Sequence, residues 1–359
     1  MPDRLSSNSE PAPAAASSPP RVPAAAPHQR RVRYAGKNPR RFAEKYKEHR
    51  QLADTVAKVL AAGKTPAGTH RPIMVPEILA VLAPQPGEVA VDCTLGYGGH
   101  AERLLRLIQP GGRLLGLDAD PIELPKTEAR LRALGFGADT FSAHRTNFAG
   151  LPQVLAAAGL AGVDLILADL GVSSMQMDNP ARGFSLKDTG PLDMRMNPQR
   201  GQPAGALLAK IPPTALAALL VENADEPHAE RLATALAGRE FVTTTALAEA
   251  VRRALPRLSG EEAGLSVRRV FQALRIAVND ELSVLTTLLR QVPRLLRPGG
   301  RVAVLTFHSG EDRRVKQAFA AGWRAGDYAA MAREVLRPGD EERRDNPRSS
   351  SAKLRWARR

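Results

Sequence analysis

The 359-residue chain contains one cysteine, Cys93. That excludes a disulfide framework and a zinc site built on cysteine, and it fits a reducing compartment. No apolar run approaches the ~18 residues that a transmembrane helix needs. The N-terminus lacks the charged-then-apolar pattern of a secretory signal, so a cytoplasmic protein is expected. Histidines and acids do not cluster at ligand spacing, so no metal site is expected. Acids are also in deficit: 37 Asp and Glu stand against 51 Lys and Arg, a net charge of +14. Such an excess favours a polyanionic partner, RNA or DNA before a membrane.

Half of that excess sits in one place. Residues 30–50 hold nine Lys or Arg and two Glu, interleaved with Tyr34, Phe42 and Tyr46. The stretch 30–68 reads either as a basic arm that contacts RNA or as a solvated helix packing its aromatics on the core. Residues 1–29 are rich in Ala, Pro and Ser and are expected to form a disordered tail. Asp3, Glu10 and the scarcity of Arg before Arg21 count against a transit peptide.

Hydrophobic residues make up 43% of the chain, enough for a globular core. From His70 onward, short runs of Val, Leu and Ile alternate with helical stretches. Val89–Cys93, Arg113–Leu117, Val163–Ala168 and Arg301–Phe307 read as buried strands, the second and fourth entered from Pro-Gly-Gly turns. Strands apolar on both faces, with helical crossovers, predict an α/β fold with a doubly wound parallel sheet. Residues 178–265 break the rhythm and read as an inserted helical subdomain for substrate recognition. The core would then comprise 69–177 and 266–359, resuming with one long helix from Val267 to Leu289. Residues 343–359 are basic, and Lys353–Trp356 reads either as part of an RNA grip or as an edge strand.

The densest signal is Asp92-Cys-Thr-Leu-Gly-Tyr-Gly-Gly-His100, between a strand and a helix. Glycines there let a ligand approach the backbone and the helix N-terminus. Gly96, Gly98 and Ala101 satisfy a loose dinucleotide pattern, and Asp118, 22 positions after Gly96, is placed for ribose hydroxyls. Spacing alone fits NAD or S-adenosylmethionine (SAM). Asp92 tilts the choice, because a carboxylate in that mouth repels a pyrophosphate and attracts an ammonium or sulfonium. Asp169 ends a third strand and precedes Ser173 and Ser174, which also suits a turn or cap. Phe307-His-Ser-Gly-Glu-Asp-Arg313 follows the last strand. Ser309 with Asp312 reads as a capping box, and His308 lies at the same sheet edge.

Further blocks are Thr69-His-Arg-Pro-Ile-Met-Val75, Leu117-Asp-Ala-Asp-Pro121, Asp169-Leu-Gly-Val-Ser-Ser174, Arg182-Gly-Phe-Ser185 and Gly190-Pro-Leu-Asp-Met-Arg-Met196. Phe271-Gln-Ala-Leu-Arg-Ile276 with Asn279 and Glu281 completes the set. Together they resemble the MraW (RsmH) family, the bacterial 16S rRNA cytosine-N4 methyltransferases, over residues 69–359. The resemblance implies a Rossmann-like SAM-methyltransferase core with a helical insert. It implies that Gly98, Gly99 and His100 line the methionine of SAM, Asp118 holds the ribose, Phe148 stands beside the adenine, and Asp169 and Gln176 close the pocket. The partner it implies is 16S rRNA or the small ribosomal subunit, at the decoding centre. Departures are Gly310 in place of the usual Leu, Val270 in place of Thr, and a longer N-terminus. They leave open a different RNA cytosine as target; a SAM-binding assembly factor without turnover is a separate alternative, against which the intact motif set speaks.

For cytosine N4, the enzyme should hold a weak nucleophile in line with the methyl group and accept one N–H hydrogen bond. Asp169, or a nearby backbone carbonyl, is the candidate acceptor. Methylation at C5 needs a thiolate adduct, and Cys93 sits on the cofactor side. Phe184 is a candidate to stack on the base, unless it packs the insert onto the core. Arg195 is a candidate for a phosphate, and His308 is the third substrate candidate. The sequence leaves the oligomeric state open.

Overall fold

A computed structural model describes residues 72–359 except Lys187. The expected tail over 1–29 and arm over 30–68 lie outside the described residues. Strands β1 (Val89–Asp92), β2 (Arg113–Asp118), β3 (Phe141–Arg145), β4 (Val163–Asp169), β5 (Leu296–Thr306), β6 (Ala330–Met331) and β7 (Lys353–Arg358) form one sheet, ordered β3-β2-β1-β4-β5-β7-β6. Five strands, β1 to β5, run parallel. These five form the expected doubly wound parallel sheet, and β7 joins it antiparallel to both β5 and β6. It is an interior strand rather than an edge. After the helix that follows β5, the chain travels back along the sheet. Lys353 therefore starts β7 opposite Thr306, the end of β5, and Arg358 finishes opposite Arg301.

The helices are α1 (Val75–Leu82), α2 (Gly99–Ile108), α3 (Leu124–Ala133), α4 (Leu151–Ala157), α5 (Ser174–Asp178), α6 (Ala204–Lys210), α7 (Pro213–Ala224), α8 (Ala229–Leu236), α9 (Thr244–Ala254), α10 (Gly260–Asn279), α11 (Glu281–Leu295), α12 (Ser309–Ala325) and α13 (Asp340–Asp345). One sheet face packs on α1, α2 and α3 through Ile78, Leu104 and Leu131. The other packs on α4, α11 and α12 through Leu151, Leu288 and Val315. Each such side chain, fully buried, contributes about 2 kcal/mol. The strand order reverses between β1 and β4, which opens a crevice at the carboxyl ends of the strands.

Helices α6 to α10 share a separate core that includes Leu208, Leu220, Leu232, Val251 and Leu274. The expected boundary at 265/266 falls inside α10, whose Val267, Val270 and Phe271 belong to that helical core. The single long helix expected from Val267 to Leu289 is two helices. Asp280 breaks it at φ 58°, its N–H closing on Ala277 and Ile276 carbonyls. Asn-Asp pairs tolerate this left-handed conformation better than most residues.

The turn that opens the helical unit is packed backbone against backbone. A Cβ on Gly190 would lie 1.8 Å from the Pro180 carbonyl oxygen, and one on Gly183 would lie 2.2 Å from that of Pro191. Gly190 also exchanges hydrogen bonds with Thr244, its N–H to Oγ1 and its carbonyl from the Thr244 N–H. Gly190→Ala is expected to destabilise the protein by about 3 kcal/mol. Thermal denaturation should show Tm lower by roughly 4–5 °C.

Candidate cofactor and active site

Three neighbouring parallel strands end in carboxylates at the crevice: Asp92 on β1, Asp118 on β2 and Asp169 on β4. Asp92 is buried, and its Oδ1 accepts the Thr94 N–H at 3.0 Å, which starts the turn. Gly98 then enters α2 at φ 78°. A Cβ there would meet Thr127 Cγ2 at 2.9 Å and Leu131 Cδ1 at 3.2 Å, so both backbone conformation and space require glycine. Gly96 donates its N–H to Asp118 Oδ2 at 2.8 Å, and its carbonyl accepts from the Thr127 hydroxyl. Arg130 stacks on Tyr97 at 4.4 Å and donates to the Tyr97 carbonyl, bracing the turn from outside.

Asp118 Oδ1 also accepts the Asp120 N–H at 2.8 Å. Each of its oxygens retains a lone pair for a ligand hydroxyl. The Asp169 N–H donates to Thr94 Oγ1 at 2.7 Å, so the β1 turn and the end of β4 are tied together. His100, in the first turn of α2, brings Nε2 within 3.4 Å of Asp169 Oδ2. That nitrogen is buried without a well-formed hydrogen bond, a polar atom left for a ligand.

These groups open on one cavity of about 850 Å³, within the range of cofactor sites. It is lined by Asp92, Gly96, Gly98, Gly99, His100, Asp118, Phe148, Asp169 and Gln176. Gln176 faces it, but its amide is already engaged: Oε1 accepts the Ser173 N–H and Nε2 donates to Asp120. Ser173, not Asp169, caps α5. Arg195, Asn197, Arg200, Asn279, Phe307 and Glu311, among others, also line the cavity. Arg195 reaches the cavity while paired with Asp193 at 2.7 Å.

Two expected substrate residues stand elsewhere. Phe184 is 4% exposed in the helical core and does not line the cavity, because large apolar groups at this turn are drawn into that core. His308 is the N-cap of α12, its Nδ1 accepting the Glu311 N–H, with Nε2 3.2 Å from Glu311 Oε1. The capping box is therefore His308 with Glu311, one residue before the expected pair. Ser309 donates to Asp225, and Asp312 pairs with Arg355.

The Arg275–Glu281 pair, at 2.8 and 2.9 Å on the cavity wall, was not foreseen. Six residues apart on a continuous helix they would point to different faces. The break at Asp280 folds them together. Glu311, Asn197 and Arg200 were likewise missed as lining residues. The Phe307–Arg313 block carried the signal for Glu311.

Burial raises Asp92 from the ordinary 3.8 to about 6, with Asp169 and Asp118 adding to it and His100 and the Thr94 N–H opposing. Burial raises Asp118 to about 6 as well, against its two N–H bonds. A cationic ligand relieves that cost, whereas a pyrophosphate increases it. The glycine turn and the acidic strand ends thus suit a positively charged nucleoside. They define a SAM-dependent methyltransferase.

Comparison with known proteins agrees. The MraW methylase family model matches residues 67–359. Ribosomal RNA small subunit methyltransferase H 1 of Lachnoclostridium phytofermentans is 47% identical over 327 residues, covering 88% of this chain and 89% of that one. Ribosomal RNA small subunit methyltransferase H 2 of Alkaliphilus metalliredigens is also 47% identical, covering 88% and 93%. Among solved structures, a SAM-dependent O-methyltransferase from Thermotoga maritima is 10% identical, with a TM-score of 0.37, over 85% of this chain and 70% of that one. The chain belongs to the MraW methylase family.

Both carboxyl pKa values are raised on folding. These groups therefore favour the fold most below the ordinary 3.8, and their ionisation costs stability as pH rises through about 6. SAM needs the ionised form. Its affinity should fall as pH drops below about 6, by up to about tenfold per pH unit for each carboxylate that must ionise. Titration calorimetry across this range checks it, and Asp92→Asn should flatten the dependence.

Proposed function

We propose that the protein methylates N4 of a cytosine in small-subunit (16S) ribosomal RNA at the decoding centre. The reading rests on one observation above all: Asp169, a strand-end carboxylate with His100 Nε2 3.4 Å away, lines the same cavity as Asp92 and Asp118 and as Arg195 and Arg200. The relatives' names supply the RNA. In this reading Gly98, Gly99 and His100 hold the methionine end of SAM, Asp118 the ribose, and Phe148 the adenine, while Gln176 braces the wall. Bound SAM supplies a methyl group on a sulfonium.

The chain's own residues do the rest. Asp169 accepts an N4–H bond, which orients the amine lone pair toward the methyl group and stabilises the positive charge that develops as the S–CH3 bond breaks; the carboxylate then receives the proton that N4 sheds. His100, 3.4 Å away, restricts that carboxylate. Cys93 is buried beside Asp92, and burial pushes its thiol further up, so it is no thiolate for attack on the ring. N4 is thereby favoured over C5. Arg195 and Arg200 lie along the helical side of the cavity, placed to meet phosphates of an opened RNA strand. The helical unit then serves as the substrate-recognition part. The work belongs with the small ribosomal subunit in the cytoplasm. Among the described residues no helix is long and apolar enough to cross a membrane, and no group of acids and histidines could hold a metal.

The test is incubation of the purified protein with SAM and unmethylated small-subunit particles, followed by nucleoside analysis. N4-methylcytosine is expected. Methylation at C5, or of another RNA only, refutes the reading. Asp169→Asn should lower kcat roughly 100-fold or more; full turnover would refute its role.

A further inference from the structure

Asp120 and Arg182 form a buried ion pair just behind the cavity wall, and neither lines the cavity. Asp120 is 1% exposed. Its Oδ1 accepts the Ile122 and Glu123 N–H groups at 2.9 and 3.3 Å. Its Oδ2 accepts from Gln176 Nε2 and Arg182 Nη1, both at 2.8 Å. The other arm of the Arg182 fork, Nη2, donates to the carbonyls of Arg195 and Met196 at 3.1 and 2.8 Å. Those residues begin the loop that carries Asn197, Gln199 and Arg200 to the cavity. Met194, just before them, has φ 63°, a conformation that a non-glycine residue keeps only when its surroundings hold it. Asn279 grips the loop from the far side, accepting the Met196 N–H at 2.7 Å and donating to the Met194 carbonyl at 2.8 Å.

A buried ion pair is no more stabilising than a well-packed apolar pair, so its value lies in direction. Arg182 joins one carboxylate to two carbonyls, and a planar fork does this where an ammonium cannot. Asp120 in turn donates its N–H to Asp118, the carboxylate that holds the glycine turn. We propose that Arg182, held by Asp120, is a positioning residue that sets the substrate-facing loop 193–201 in place beside the Asp118 strand end of the cavity. The proposal rests on the reading above, in which that loop faces the RNA.

Arg182→Lys keeps the charge opposite Asp120 and loses the fork. In the full-length protein, hydrogen exchange of loop 193–201 should quicken at least about fivefold, with β1 and β2 unchanged. SAM affinity should stay within about twofold, while kcat/KM for the RNA falls roughly 30-fold. Asp120→Asn, which keeps the shape and the acceptor for the backbone, should loosen the same loop and serves if the lysine variant does not fold. Unchanged loop exchange in the folded variant overturns the proposal, as does a loss of SAM affinity equal to the loss of RNA turnover. A wild-type protein that fails to methylate rRNA would refute the functional reading alone, since loop exchange is read without substrate.

Discussion

The Asp118 carboxylate holds two turns at once. One oxygen takes the Gly96 N–H and the other takes the Asp120 N–H. The first bond shapes the glycine turn and thereby aims the start of α2 at the cavity. The second presents Asp120 inward, where it receives Gln176 and Arg182. Cofactor pocket, α5 and the edge of the helical unit therefore share a single anchor at the end of β2. Burial of that anchor is costly, as its raised pKa shows. Backbone N–H donors and a cationic cofactor offset the cost.

Carboxylates end three strands at the cavity, and Arg195 and Arg200 line the same cavity. In the proposed reading the strand-end carboxylates suit a sulfonium nucleoside and the two guanidinium groups an anionic RNA strand. The two apolar cores of the sheet and that of the helical unit are distinct. What joins sheet and helices around the active site is largely polar and directional, which suits two parts that must keep register.

Much of the sheet was legible because its strands are short, apolar on both faces and bounded by Pro-Gly-Gly turns. The glycine turn was legible because its residues are constrained locally: φ, close approach to α3 and the adjoining carboxylate all act within one strand–turn–helix unit. Phe184 and His308 turn away from the cavity for a common reason. A side chain near a site in sequence is free to point away from it, and packing decides. Phe184 gains more by joining the helical core, and His308 gains a cap bond with Glu311.

The sequence by itself determined the α/β class, the ends of the strands that carry Asp92, Asp118 and Asp169, and the family, since each depends on local pattern or ordered motifs. Only the tertiary structure decided that β7 enters the sheet antiparallel, that the long helix breaks at Asp280, and that Arg182 reaches back to Asp120. Those outcomes hinge on contacts between residues 50 to 60 or more positions apart, or on a single backbone conformation, and neither leaves a periodic trace in the chain.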